Sequence, residues 1–259
     1  MTSLPILRDM TRWKFVLGFS LCFSLFFTAC TKQTDVLRLP ELNEYYPLQI
    51  GRVFVYRLDS TVIPYNGNNL EIHSYHARDS IADTIRDNAN RLSYRVYRFV
   101  TDTLENGPWV TTGTYIITPT GNSVEVVDDN NLRIIKLVKP LSNGFSWNGN
   151  SYIDASTAGG PFQYMYGWNF QYQNVAQPFN VLYGTFNNTV TVLQIDDTSP
   201  PGPFDPSQYQ QRNYSIEVYA QNIGLVYKEF LHTVWQVTPP PPGYDNGTYG
   251  IKLSLIDYR

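Results

Sequence analysis

Cysteine is almost missing from this sequence: only Cys22 and Cys30 occur in 259 residues. No internal disulfide can therefore staple the chain downstream of residue 30. Histidine is nearly as scarce, with His73, His76 and His232 alone. On a strand His73 and His76 would face opposite sides, and neither has an acidic or thiol partner at a diagnostic spacing, so no metal site is expected. Gly-x-Ser-x-Gly, His-Glu-x-x-His, Walker and Gly-x-Gly-x-x-Gly patterns are all missing. The pairs Asp128-Asp129 and Asp196-Asp197 fall at expected strand ends, where Asp ordinarily serves turns. The chain is read as non-catalytic and without a cofactor. Positive charge is sparse as well, 19 basic residues against 22 acidic ones. That excludes the clustered Lys/Arg footprint of a nucleic-acid binder.

Long hydrophobic runs are also lacking, with one instructive exception near the N-terminus. Arg8, Arg12 and Lys14 precede an uncharged, largely apolar run from Phe15 to Phe27, and Thr28-Ala29-Cys30 closes it. Basic, apolar, then small is the order of a secretory signal. The run is too short for the roughly 20 residues of a membrane-spanning helix. Phe27-Thr28-Ala29-Cys30 resembles the lipobox of bacterial lipoproteins, which implies cleavage before Cys30 and a lipid on its sulfur. Ordinary soluble secretion with a coincidental cysteine, or an uncleaved N-terminal helix anchor, is the alternative. The sequence is accordingly divided into a signal peptide (1–29), a lipidated tether (30–44) and a β-rich globular domain (45–259). The lipid would make the membrane a partner without a spanning segment. It places the chain in the bacterial cell envelope, at the outer membrane, with periplasmic and surface faces both open. Without Arg8, Asp9, Arg12 and Lys14 the mature charge is −5.

What the chain has in quantity is aromatic side chains, with 20 Tyr and 14 Phe. These favour strands over helices. Val53, Val55 and Arg57 alternate with Phe54, Tyr56 and Leu58, and similar alternation runs from Leu92 to Val100. Further strands are expected over 109–118, 123–127, 132–138, 189–195, 214–220, 225–231 and 249–258. Leu70 to Arg86 reads as a strand pair or a short helix. The Pro-rich stretches Ser199–Pro206 and Thr238–Gly243 read as loops, since Pro cannot donate to a ladder. The expected fold is all-β: a single antiparallel sheet system, sandwich or curled half-barrel, following an N-terminal signal helix.

One segment stands out as a candidate site. Phe162, Tyr164, Tyr166, Trp168, Phe170 and Tyr172 occupy every second position, which on a strand places all six rings on one face. Such a face stacks sugar rings, lines an apolar ligand cavity, or packs as ordinary core. Trp147, beside Asn148-Gly149-Asn150, adds a ring on an expected loop. The candidate ligand-binding residues are Trp147, Tyr164, Tyr166, Trp168 and Tyr172, facing a glycan or an apolar ligand. Separately, Asp59-Ser60-Thr61, Asp79-Ser80-Ile81, Asp83-Thr84-Ile85 and Asp102-Thr103-Leu104 resemble the Asp-Ser/Thr-aliphatic acceptor of O-glycosylation in Bacteroidota, with strand-edge chemistry as the alternative.

Tyr45-Tyr46-Pro47-Leu48-Gln49-Ile50-Gly51-Arg52-Val53-Phe54-Val55-Tyr56 resembles the Tyr-Phe-Pro-Leu-x-x-Gly-x-x-Trp-x-Tyr opening of a group of Bacteroidota lipoproteins of unassigned activity. Asn130 to Leu137, Trp147 to Asn150 and Tyr219 to Glu229 are similar to the same group. The resemblance implies one β-rich exported domain and carries over no functional residue. Gly51 and Gly224, each just before a strand, are expected at backbone turns that disfavour a Cβ. Two functional expectations follow: a binding module for a glycan or apolar ligand, or a structural or assembly lipoprotein contacting other envelope proteins.

Overall fold

Alternating side chains at 53–58 form the middle of a continuous antiparallel sheet. The computed structural model describes residues 41–64 and 67–259; the signal segment, Cys30 and the tether up to residue 40 lie outside them. A short helix α1 (Leu42–Tyr45) leads into β1 (Val53–Val62), β2 (Glu71–Arg86), β3 (Leu92–Asp102), β4 (Val110–Pro119), β5 (Ser123–Val127) and β6 (Arg133–Val138). Then come β7 (Ser146–Trp147), β8 (Phe170–Val181), β9 (Gly184–Ser199), β10 (Gln210–Ala220), β11 (Gly224–Gln236), β12 (Gly243–Tyr244) and β13 (Tyr249–Tyr258). The order across the sheet is β6-β5-β4-β3-β2-β1-β13-β11-β10-β9-β8-β7, with β12 added beside β11. The all-β expectation and its curled half-barrel form hold: this is one antiparallel sheet wound into a nearly closed barrel.

The two ends of the sheet are joined mostly by side chains rather than by a ladder. The Ile135 amide donates to the Gly149 carbonyl at 2.9 Å. Trp147 Nε1 donates to the Ile135 carbonyl at 2.9 Å. The Tyr172 hydroxyl accepts from the Val138 amide and donates to the Val138 carbonyl, each at 2.7 Å. The β6 edge thus has partners at Ile135 and Val138 for backbone groups that would otherwise be left open.

Bulges let the barrel curve while keeping apolar residues inward. They fall between Val55 and Tyr56, Ile81 and Asp83, Arg98 and Phe99, and Val218 and Tyr219. Leu70–Arg86, left open between a strand pair and a helix, is a single long strand from Glu71 with one of these bulges. Tyr56, Ala77, Val96, Ile117, Val124, Val192 and Leu253 meet in the buried core. Gly51 and Gly224 have φ of +88° and +112°, conformations that favour residues without a Cβ.

The folded unit takes in residues that the sequence reading gave to the tether. Leu42 and Tyr45 are buried in the core. The Tyr45 hydroxyl donates to Asn188 Oδ1 at 2.7 Å, and Gln221 Nε2 donates to Glu44 Oε2 at 2.7 Å. The boundary therefore falls before residue 42, because α1 closes the barrel end formed by the β10–β11 turn. Leu39–Arg259 clusters as one compact unit containing the whole described sheet and its core.

Candidate functional site

The opposite end of the barrel is roofed by the β7–β8 connection, residues 148–169. Here the expected aromatic strand is corrected. Only Phe170 onward is strand; Gln163–Met165 form a 3-10 turn. The Trp168 amide closes a further turn onto the Met165 carbonyl at 3.2 Å, and Gly167 has φ +75°. A strand cannot continue through that geometry, so the six rings do not share one face.

Their destinations differ. Tyr164 and Trp168 turn inward as the roof. Trp168 Nε1 donates to the Tyr164 carbonyl at 2.8 Å. The Tyr164 ring stacks on His232 at 4.1 Å, and its hydroxyl lies 2.9 Å from that of Tyr249. Trp168 packs on Phe230 at 6.2 Å between centroids. Tyr172 is fully buried and, with Trp147 at 4.6 Å, belongs to the seam. Tyr166 points away and is 73% exposed. Of the five candidate residues, the structure brings Tyr164 and Trp168 to a shared cavity, puts Trp147 and Tyr172 behind its wall, and leaves Tyr166 outside.

That cavity is the barrel interior beneath the roof, about 300 Å³, at the lower end of the range for small-molecule sites. Leu132, Ile134, Met165, Phe230, Ile251 and Leu253 supply much of its wall. Gly113, Thr114, Asp129, Asn130 and Tyr249 line it as well; Thr114, Asp129, Asn130 and Tyr249 are exposed and mark its mouth.

Charged residues that sequence reading missed lie inside. Glu217 on β10 meets Lys136 Nζ on β6 at 2.7 Å and accepts from the Tyr219 hydroxyl at 2.6 Å. Lys228 on β11 lies 3.7 Å from the same Glu217 oxygen. Burial acts to raise the Glu217 carboxyl, but Lys136, Lys228 and the two hydrogen bonds override it and hold the group down at about 2. Lys228 is pushed down to about 8, by burial first and then by Lys136, against the pull of Glu217. A second pair lies lower in the barrel: Arg98 grips buried Asp79 at 2.7 and 2.6 Å, and the Tyr115 hydroxyl donates to the same carboxylate at 2.8 Å. Burial works against the Arg98 charge, yet Asp79 holds its pKa above the ordinary value.

Two buried amides complete the inventory. Gln194 Oε1 accepts from the Ser215 hydroxyl at 2.8 Å, whereas Gln194 Nε2 has no partner. Asn150 Nδ2 is likewise buried without a partner. Both residues line the cavity. Leaving such donors unpaired costs about 1–3 kcal/mol each. The only sequence signal for this polar interior was charge inside β-prone segments, as in Ile216-Glu217-Val218.

The other sequence candidates lie elsewhere. His73 and His76 are on β2, beside Glu71 and Glu105 respectively, and no metal-holding cluster occurs among the described residues. Asp128 caps its own turn, accepting from the Asn130 and Leu132 amides. Of the Asp-Ser/Thr-aliphatic motifs, Asp79 is committed to Arg98, while Thr103 sits exposed in the turn after β3.

No family model matches the chain, and no curated protein matches it. Among solved structures, it is similar to a provisionally assigned exported protein with a YmcC-like fold from Bacteroides fragilis, at 9% identity and TM-score 0.35, over 82% of this chain and 96% of that one. It is also similar to a provisionally assigned lipoprotein from Parabacteroides distasonis, at 10% identity and TM-score 0.37, over the same shares.

Proposed function

We propose that this chain is a membrane-anchored envelope lipoprotein, tethered through a lipid on Cys30, whose barrel is a non-catalytic binding module for a small ligand. The lipobox-like Phe27-Thr28-Ala29-Cys30 supports the anchor. The observation that carries the binding role is the roofed cavity of about 300 Å³, holding unpartnered amide donors at Gln194 and Asn150. A barrel used only as a scaffold gains nothing from such donors, since interiors otherwise fill to crystal-like density and pair their polar groups. The enclosed, largely apolar wall favours a compact apolar-bodied ligand over an extended glycan.

Native mass spectrometry of the protein taken from its own envelope tests the reading. A reproducible small-molecule adduct, absent from a folded Trp168→Ala variant, is the expected result. A bare chain that also takes up no neutral apolar probe would overturn it. The second reading, an assembly lipoprotein, is favoured by one observation. Leu182 and Tyr183, at the β8–β9 tip, are 60% and 48% exposed although they lie beside the outer surface of β13. A bare protein would direct the search to partners at that tip.

A further inference from the structure

Charge accounting inside the cavity narrows the ligand. Glu217 is a single carboxylate between two lysines, and its oxygens are already engaged by Lys136 Nζ and the Tyr219 hydroxyl. Lys228 stands off at 3.7 Å, beyond hydrogen-bonding distance. Among the described residues its ammonium donates no hydrogen bond, yet 31% of its side chain is accessible and it lines the cavity. Arg98 does not share this surplus, because Asp79 neutralises it through two hydrogen bonds. The Lys136–Glu217–Lys228 cluster therefore has one more cation than anion. Asp128 and Asp129 add negative charge elsewhere on the wall, but Lys228 is left as a local cation with no hydrogen-bonded counter-charge. Gln194 and Asn150 line the same space, and their amide nitrogens, buried without a partner, are donors only. Three donor groups on three different elements, one of them cationic, thus lack an acceptor. The remainder of the wall is dominated by Leu, Ile, Met, Phe and Trp.

We propose that the cavity takes a monoanionic carboxylate on an apolar body, with the carboxylate received by Lys228, Gln194 and Asn150 and the body lying under Trp168 and Phe230. This rests on the reading of the barrel as a binding module. A carboxylate matches the inventory, since it accepts several hydrogen bonds, donates none and gives the Lys228 ammonium a partner. A second negative group is disfavoured because Asp128 and Asp129 also line the cavity and would repel it. Glu217 does not compete for the ligand's place, because it stays paired with Lys136 and Tyr219.

The test uses a matched pair, decanoate and 1-decanol, competing against the neutral fluorophore N-phenyl-1-naphthylamine on residues 39–259, the unit that contains the whole described core. Decanoate is expected to displace the fluorophore about tenfold or more tightly than decanol, as befits hydrogen bonds to a charged group. Lys228→Met is expected to erase that preference while still taking up the fluorophore. Should that variant fail to fold, Gln194→Leu serves instead, with a smaller loss, and the wild-type comparison needs no variant. Equal displacement by the two molecules would overturn the carboxylate assignment and leave a plain apolar pocket. A decanoate preference untouched by both variants would overturn the residues named. A protein that takes up neither the fluorophore nor decanoate would overturn both this inference and the binding-module reading.

Discussion

Tyr172 and Val138 close the barrel by a two-way exchange, the hydroxyl accepting the Val138 amide and donating to the Val138 carbonyl at 2.7 Å each. Tyr172→Phe keeps the ring but leaves two backbone groups of β6 unpaired. The expected loss is about 1–3 kcal/mol, measured by urea unfolding, with faster amide exchange confined to Lys136–Lys139 and the facing part of β8. Unchanged exchange there would mean that the seam does not depend on this hydroxyl.

Acid should dismantle the interior ion cluster. Glu217 has an ordinary carboxyl value of 4.5 and is held at about 2 in the fold. A depressed carboxyl contributes its stabilisation in full above the ordinary value and loses it as pH falls through the folded one. The groups facing it are Lys136 on β6, Tyr219 on β10, Lys228 on β11 and Tyr46. Stability should therefore decline from about pH 4.5 towards pH 2, by on the order of 3 kcal/mol from this group. Glu217→Gln should remove that part of the acid limb. It should also cost about 3–5 kcal/mol at neutral pH, since it leaves the Lys136 ammonium, which is only 10% accessible, without its hydrogen-bonded counter-charge. Chemical denaturation across pH checks both.

Decanoate affinity should follow the protonation of Lys228. Its folded pKa is depressed to about 8, with Lys136, Glu217, Arg98 and Asp128 as the charges around it. Its positive charge is present below that value and lost above it, so the preference for decanoate over decanol should shrink as pH rises from 7 to 9. Fluorophore displacement at each pH reads this out. A preference constant over that range would place the charge that receives the head group elsewhere.

Gly149 should tolerate no side chain. A Cβ built there would lie 2.2 Å from the Phe170 ring, and the same residue supplies the carbonyl that accepts from Ile135. Gly149→Ala must displace Phe170 or break the seam, at an expected cost of about 1–3 kcal/mol. Thermal unfolding measures it. Gly121→Ala, where a Cβ meets nothing, is the control.

Period-two alternation made the sheet legible where both faces of a strand kept their character. Phe54 and Tyr56 point inward with Val53 and Val55 between them, and β13 carries Leu253 and Leu255 in the same way. The same rule failed at 162–168, where Gly167 and a 3-10 turn break the strand that alternation implies. Tyr164 and Trp168 still end on one surface, but through a turn that brings residues four apart together. The polar interior was illegible for a different reason. A Glu or Lys alternating with apolar residues is read as a solvent face, and only barrel closure turns Glu217 and Lys136, 81 positions apart, towards each other. Likewise, nothing local to Gln194 or Asn150 distinguishes an unpaired amide from an ordinary surface one.

The seam has a consequence for how these molecules behave at high local concentration. A sheet that ends in an open strand offers a template on which a neighbour can add its own backbone. Here Tyr172, Trp147 and Gly149 occupy hydrogen-bonding positions of β6 at Ile135 and Val138. The β6 edge is thus a poor template at Ile135 and Val138, and high local density does not by itself recruit copies into strand-to-strand pairing there.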